Sequence, residues 1–366
     1  DFVIANTVVM ARAVRALSGT AVPVLWWLHD AFAGYPHIAH QIPTQLGENV
    51  RVYSVGSHAA NAMRAVRPEF EIRPLIYGLP DYAAENFVRT DLGYNRGRPL
   101  FATVGSFERR KGHDIFCKAI RLLPPEVREK ASFLFVGQAA DKEMMDSVRA
   151  LTADYPENVY YCKRLTRDEI KSLMEQCTGL VCASRDDPMP TFVTEGLIFG
   201  KPSIVSEHTG TAGLISEGRN GFVYHNDDPQ QLAVLLEHAI EHPEELASMR
   251  TECRKMYEQY YSKEAFEQTL RAAVEDLTAK NATSPHRGNS NNRRQWRIKG
   301  VAAGAAASKT QVLFPTRSGC WEPQPEPGKR SKPERFFFII SHKVTRKILF
   351  QFTKTRFRCV ILQAVS

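Results

Sequence analysis

RDDPMPTFVTEGLIFGKP, residues 185–202, follows an apolar run, GLVCAS (179–184), and carries the helix-like segment TFVTEGLIFG. The order reads strand, tight polar loop, helix N-terminus. In an open α/β sheet such a loop lies at the carboxyl ends of the strands, where ligands bind. The stretch sets Asp187 eight residues before Glu195, with Pro-Met-Pro-Thr close behind the first acid. Amides at the helix start offer an anion site, and the two carboxylates can accept hydroxyl groups on either side of it. A diphosphate flanked by two sugars meets all three groups, and a nucleotide-sugar is such a ligand.

Outward from this loop the chain alternates strand and helix signals. PLFATVG (99–105) is followed by a helical run at 112–123, ASFLFVG (131–137) by one at 141–154, and NVYYC (158–162) by one at 166–176. GLVCAS pairs with 191–199, PSIVSE with a short turn of helix near 211–216, and GFVYH with 229–241. Six short apolar strands alternating with helices predict a doubly wound parallel sheet. Ahead of it, FVIAN (2–6), VPVLWWLH (22–29) and VRVYSVG (50–56) are further strands of the buried parallel type, with helices expected at 7–18 and 57–66. The stretch 81–98, rich in Gly and Pro at its ends, suits an interdomain linker. Two more helices are expected at 243–260 and 263–279, the last crossing back to the first domain.

Charge divides the chain differently. Residues 281–366 carry 17 Lys and Arg against 3 Asp and Glu, whereas 1–280 carry 31 against 37, so a mildly acidic body bears a strongly basic tail. The tail is aperiodic and low in complexity, and reads as disordered. Its end, FFFIISHKVTRKILFQFTKTRFRCVILQAV, is both apolar and basic. That suits a segment contacting an anionic membrane surface, or read-through sequence from a wrong gene model. The seven cysteines show no CxxC and no zinc spacing, which points to buried thiols in a reducing compartment. The chain opens on a buried-type strand without a leader, so the front of its first domain is expected to be missing. The body lacks aromatic-interleaved basic patches, which argues against a nucleic-acid partner.

A second phosphate candidate is VGSFERRKGHD (104–114), where a strand ends at Gly105 and Lys111-Gly112 opens a helix. Lysine and helix N-terminus both supply positive potential for a diphosphate. This loop is expected two strand positions from the acidic one. Asp186 and Asp187, adjacent in the loop, read on their own as a solvated pair.

VGSFERRKGHDIFCKAI, FLFVG, LTRDEIKSLMEQC and ASRDDPMPTFVTEGLIFGKPSIVSEHTGTAGLISEGRNGF, in this order, resemble the retaining family 4 glycosyltransferases, also called group 1. The resemblance implies a GT-B-like α/β fold of two facing Rossmann-like, doubly wound domains. Here they would be an incomplete 1–88, 89–280 holding the donor, and the basic tail 281–366. The paired acids of the family fall on Asp187, shortened from the usual Glu, and Glu195. Glu195 would bind ribose hydroxyls and Asp187 the donor sugar. Gly105, Ser106, Arg110 and Lys111 would lie at the diphosphate, with Ser106 standing where the family has an arginine and Arg109 or Arg110 as substitutes. Met189, Pro190, Thr191 and Phe192 would line the sugar and diphosphate through the main chain, Pro190 without an N–H to give. His29, ending VLWWLHD, would face the sugar across the cleft, and Ser57 would shape the acceptor side. His29, Lys111 and Asp187 are the candidate catalytic set.

These residues predict a sugar transfer from a nucleotide-diphosphate-sugar to a glycan or glycolipid, with no metal or other cofactor, and the resemblance implies that it retains the anomeric configuration. The expected location is the cytoplasm, with the tail as a candidate contact to the inner membrane face. The alternative is a nucleotide-sugar-binding fragment without turnover. A third reading, a nucleic-acid or membrane binder driven by its tail, rests on charge alone.

Overall fold

The computed structural model describes residues 2–282 and three short strands, 338–339, 347–348 and 359–362. Two parallel sheets carry the chain. The first contains β1 (Phe2–Asn6), β2 (Val24–Leu28), β3 (Val50–Ser54) and β4 (Ile72–Pro74). Every position of β1 and β2 is buried, which fits apolar strands covered on both faces. The strand Cys359–Leu362 lies parallel to β1, pairing Phe2 with Cys359 through Ala5 with Leu362, so the sheet runs 359–362, β1, β2, β3, β4. The other residues of the basic tail, including its remaining apolar stretches, lie outside the described set, apart from an antiparallel pair at 338–339 and 347–348.

The second sheet holds β5 (Leu100–Val104), β6 (Ser132–Val136), β7 (Val159–Cys162), β8 (Gly179–Cys182), β9 (Ser203–Ser206) and β10 (Gly221–Tyr224). Their order is β10-β9-β8-β5-β6-β7, all parallel. The order reverses between β5 and β8. Read from sequence, the loops after these strands lie two positions apart; they are direct neighbours. The crossover after β6 and β7 fills one side of the sheet before the chain returns, and spacing along a sequence does not reveal that reversal.

Helices cover both faces where local chemistry starts them. Asp141 caps Lys142–Asp154 by accepting from the Glu143 and Met144 amides, and Thr166 with Glu169 forms a capping box on Arg167–Gln176. The expected helix 243–260 is divided into Pro243–Ser248, Arg250–Met256 and a π turn at Tyr257–Tyr261. The wider turn swings Tyr257 and Tyr261 into the junction of the two sheets. Tyr257 Oη donates to Leu79 O at 3.0 Å, and both rings are buried. The helix Lys263–Ala282 then lies against the first sheet: Phe266 stacks on Trp27 at 5.5 Å, and Arg73 reaches Asp276 at 2.6 Å.

β4 escapes the sequence pattern because Glu71, Arg73 and Pro74 interrupt its apolar run. It is a three-residue edge strand, where proline is tolerated. The segment 81–98 is no loose tether. Glu85 pairs with Lys171 at 2.7 Å, Arg89 grips Glu175 with bonds of 3.0–3.1 Å, and the Thr90 amide donates to Ser172 Oγ, all on the helix Arg167–Gln176.

Candidate functional site

β5 and β8 end side by side, and the two loops that leave them are stitched together. The first runs through Gly105 and Ser106 to a 3-10 turn, Arg109–Lys111, and then to Gly112, which starts the helix His113–Leu122. Gly112 has φ +65°, and a Cβ there would stand 1.8 Å from the Ala183 carbonyl oxygen. Only glycine permits both the left-handed turn and this approach to the strand end. The Arg185 amide donates to Arg110 O at 2.8 Å, and the Arg185 guanidinium forms a 2.8 Å pair of bonds to Asp114. Arg185 also donates to Arg109 O, so the polar loops are held in register by backbone and side chain together.

This register brings Lys111 onto Asp187, and the two side chains form a direct ion pair. Asp187 is 3% exposed and additionally accepts from the Met189 amide at 3.3 Å. Ser106 and Arg110 both bond to Glu108, the latter at 2.9 Å, and Arg110 also donates to Asp186 O at 3.4 Å. Arg109 is exposed. Beyond Asp187 the chain passes Pro188, Met189 and Pro190 into the helix Thr191–Ile198, whose start has no side-chain cap. The first amides, at Thr191 and Phe192, precede the intrahelical ladder, so the turn presents donors next to the ion pair. Its far wall is the 209–214 segment. Gly210 N donates to Asp187 O at 2.9 Å, and a Cβ on Gly210 would meet Pro188 O.

Asp186 and Asp187 are both buried, which overturns their reading as a solvated pair. Each is bonded in a different direction: Asp187 to Lys111, and Asp186 to Phe32 and Ala33 of the turn after β2 and His58 of the helix after β3. No spacing in the sequence signals those partners, which lie 128 to 154 residues away. Tyr77 also went unread from sequence. Its hydroxyl sits 3.4 Å from both Met189 O and Thr194 Oγ1.

Glu195 stands apart from the ion pair, in a cleft lined by Tyr82, Arg167, Ile170, Lys171, Met174 and Phe199. Burial pushes its carboxyl up to about 7, against the pull of Arg167. A carboxyl raised in the folded state stabilises the fold fully below its unfolded value, and that contribution is lost as pH rises through about 7. Glu195→Gln is therefore expected to leave the melting temperature unchanged near pH 4, and to raise it relative to the parent near pH 8. Asp30, raised to about 6 by burial against backbone bonds from Val8 and His29, titrates in both proteins and cancels in the difference. Calorimetric scans across this range check the result; a constant difference at every pH would place Glu195 in an ordinary solvated position.

His29 directly follows β2 with its ring 4.3 Å from Trp27, and burial lowers its pKa to about 3, so the ring is neutral. Its Nε2 is buried without a hydrogen-bond partner in the ligand-free chain. Such an orphaned atom suits a ligand group. Ser57 starts the helix Ser57–Arg64 and lies against Gly213 of the opposite unit. Among the described residues, no group of three or more His, Cys, Asp and Glu is arranged to hold a metal ion, and no helix is long and apolar enough to cross a membrane.

Residues 85–256 match the family model described as glycosyl transferases group 1, and residues 1–67 match the one described as glycosyl-transferase family 4. An uncharacterized glycosyltransferase of Methanocaldococcus jannaschii is 25% identical over 194 residues, 53% of each chain, so the chain spans about half the length of that curated relative. Sucrose-phosphate synthase from Thermosynechococcus elongatus superposes with a TM-score of 0.63 over 76% of this chain and 74% of its own, at 16% identity. Anabaena HepE, solved in complex with UDP-glucose, gives 0.61 over 75% and 79%, at 15% identity. At these identities the likeness to the two structures is one of fold.

Proposed function

Because this chain belongs to the group 1 glycosyltransferases, we propose that it moves a sugar from a nucleotide-diphosphate donor to a hydroxyl of a glycan or glycolipid acceptor, with retention at the anomeric carbon. The observation that carries this reading is the ion pair of half-buried Lys111 with buried Asp187, beside the uncapped start of the helix Thr191–Ile198. When the bond from the sugar's anomeric carbon to phosphate breaks, its electron pair leaves on the diphosphate, and the sugar gains positive character. Lys111 and the Thr191 and Phe192 amides are fixed where they would meet that growing negative charge. Asp187, released from Lys111 as the diphosphate arrives, accepts hydroxyls of the sugar. Glu195 accepts those of the ribose. The neutral His29 meets the sugar or phosphate from the first sheet with its free Nε2. The acceptor oxygen bonds to the anomeric carbon, and its proton leaves with the diphosphate.

Several structures of the fold carry UDP or UDP-glucose, which makes UDP the first nucleotide to test. Calorimetry of the full chain with UDP, followed by release of UDP from UDP-glucose with a panel of glycan acceptors, tests the reading. Turnover supports it, binding alone points to a nucleotide-sugar-binding protein, and no binding of any nucleotide sinks it. Lys111 supplies the cation in this scheme, so EDTA is expected to leave the rate unchanged; a chelator-sensitive rate restored by a divalent ion would contradict it. Proton NMR of the product anomeric signal reads the stereochemistry.

A further inference from the structure

We propose that Asp186 is a positioning residue that clasps the two sheets together across the cleft and thereby sets the placement of its neighbour Asp187. Asp186 Oδ1 accepts the Phe32 amide at 3.1 Å and lies 2.7 Å from His58 Nε2, while Oδ2 accepts the Ala33 amide at 2.9 Å. All three donors belong to the first sheet: Phe32 and Ala33 to the 3-10 turn after β2, His58 to the helix after β3. Asp186 belongs to the second. Its residue is 9% exposed and His58 8%, and the Phe32 ring closes edge-on over the imidazole at 5.0 Å. A carboxylate with three donors from one direction is well solvated by protein there.

The same seam is packed by apolar contact. A Cβ on Gly56 would stand 2.8 Å from the Met189 methyl, so Met189 from the acidic loop fits against the backbone that starts His58's helix. The backbone on either side of Asp186 is anchored as well. Arg185 N and Asp186 N donate to Arg110 O, and Asp187 N donates to His208 O at 3.1 Å. A pull on the Asp186 side chain therefore reaches Asp187 through one peptide unit, in a segment with little slack. Nothing in the Lys111–Asp187 pairing uses the Asp186 carboxylate, which leaves the clasp as its function.

The clasp itself is independent of what the cleft binds; only its consequence for turnover rests on the function proposed above. Hydrogen–deuterium exchange of the full, ligand-free chain tests it. Asp186→Ala is expected to speed exchange in peptides covering 31–36 by about tenfold or more, as the loss of charge-assisted bonds exposes those amides. His58→Ala should give a smaller rise, and His58→Gln, which keeps a donor, should stay near the parent. The double variant Asp186→Ala/His58→Ala should exchange no faster than Asp186→Ala alone. The β5 amides, Phe101 to Val104, should be unchanged throughout. Unaltered protection at 31–36 in Asp186→Ala overturns the proposal, and so does a rise spread equally into β5, which would mark general destabilisation. In the UDP-glucose assay, Asp186→Ala should lower kcat while the UDP Kd stays within about twofold. A parent chain that binds no UDP would remove the transferase reading and leave the exchange result standing.

Discussion

Lys111→Ala is expected to lower kcat/KM for UDP-glucose by about 10²–10³-fold, the loss typical of removing one preorganised group from a developing anion. The structure adds a second effect. Asp187 is buried and keeps only the Met189 amide once Lys111 is gone. A buried carboxylate stripped of its cation costs about 3–5 kcal/mol, and the 19% exposure of the Lys111 side chain places this case at or below the lower end. The two effects separate in a double variant. Lys111→Ala/Asp187→Asn removes the stranded charge and is expected to recover most of the melting temperature without recovering the rate. If the double variant regains activity, Lys111 serves the fold by neutralising Asp187 and takes no part at the diphosphate. Circular dichroism melts alongside steady-state assays distinguish these outcomes.

Gly112→Ala is expected to be among the most damaging single substitutions available, about 4–5 kcal/mol by urea unfolding. The left-handed backbone alone accounts for roughly 1–2 kcal/mol. The larger share is steric, because the added methyl would stand 1.8 Å from the Ala183 carbonyl oxygen, a backbone atom just beyond β8, and is itself fixed to the backbone at a helix start. Gly93→Ala provides the contrast. Gly93 has φ +68° but nothing within 4 Å of the built Cβ, so only the conformational share, roughly 1–2 kcal/mol, is expected. Equal losses at the two positions would show that the contact with Ala183 relaxes freely. Whatever fraction of Gly112→Ala folds should also lose turnover, since moving Gly112 moves Lys111.

The parts of this arrangement that were legible in sequence are those encoded locally. Apolar runs of four or five residues identify β5 to β10, whose positions are mostly buried except in the edge strand β7, and Asp141, Thr166 and Glu169 announce their helices through side chains that cap their own turns. The loops bearing Lys111 and Asp187 could be read for the same reason: each is a strand end followed at once by a helix start. What could not be read is set by contacts between distant segments. The adjacency of β5 and β8 depends on where the chain reverses across the sheet. The burial of Asp186 depends on amides more than 150 residues away, and polar residues in a loop look solvated until a second surface is laid on them. The split of 243–260 follows the same logic, since helix propensity runs on through Tyr257 while the junction calls for a wider turn there. β4 lost its signal to Glu71, Arg73 and Pro74, each acceptable only because the strand is short and at an edge.

The chain passes between the two sheets twice, once at 79–81 and again at 261–263, and the passages touch. Leu79 N donates to Tyr261 O at 2.8 Å, and Leu79 bridges to Ser262. Two covalent threads side by side make a single pivot, in the way that a book's covers share one spine. That line is the natural axis for any swing of one lobe against the other. A nick in the surface stretch 85–98 would cut the first thread, and the severed halves would then be held through the helix Lys263–Ala282, which the second thread joins to the second unit and which packs on the first sheet. The Asp186 carboxylate and its three donors form a further seam between the lobes, and Met189, two residues beyond Asp187, meets Tyr261 Oη at 3.2 Å, so seam and pivot are joined through one loop.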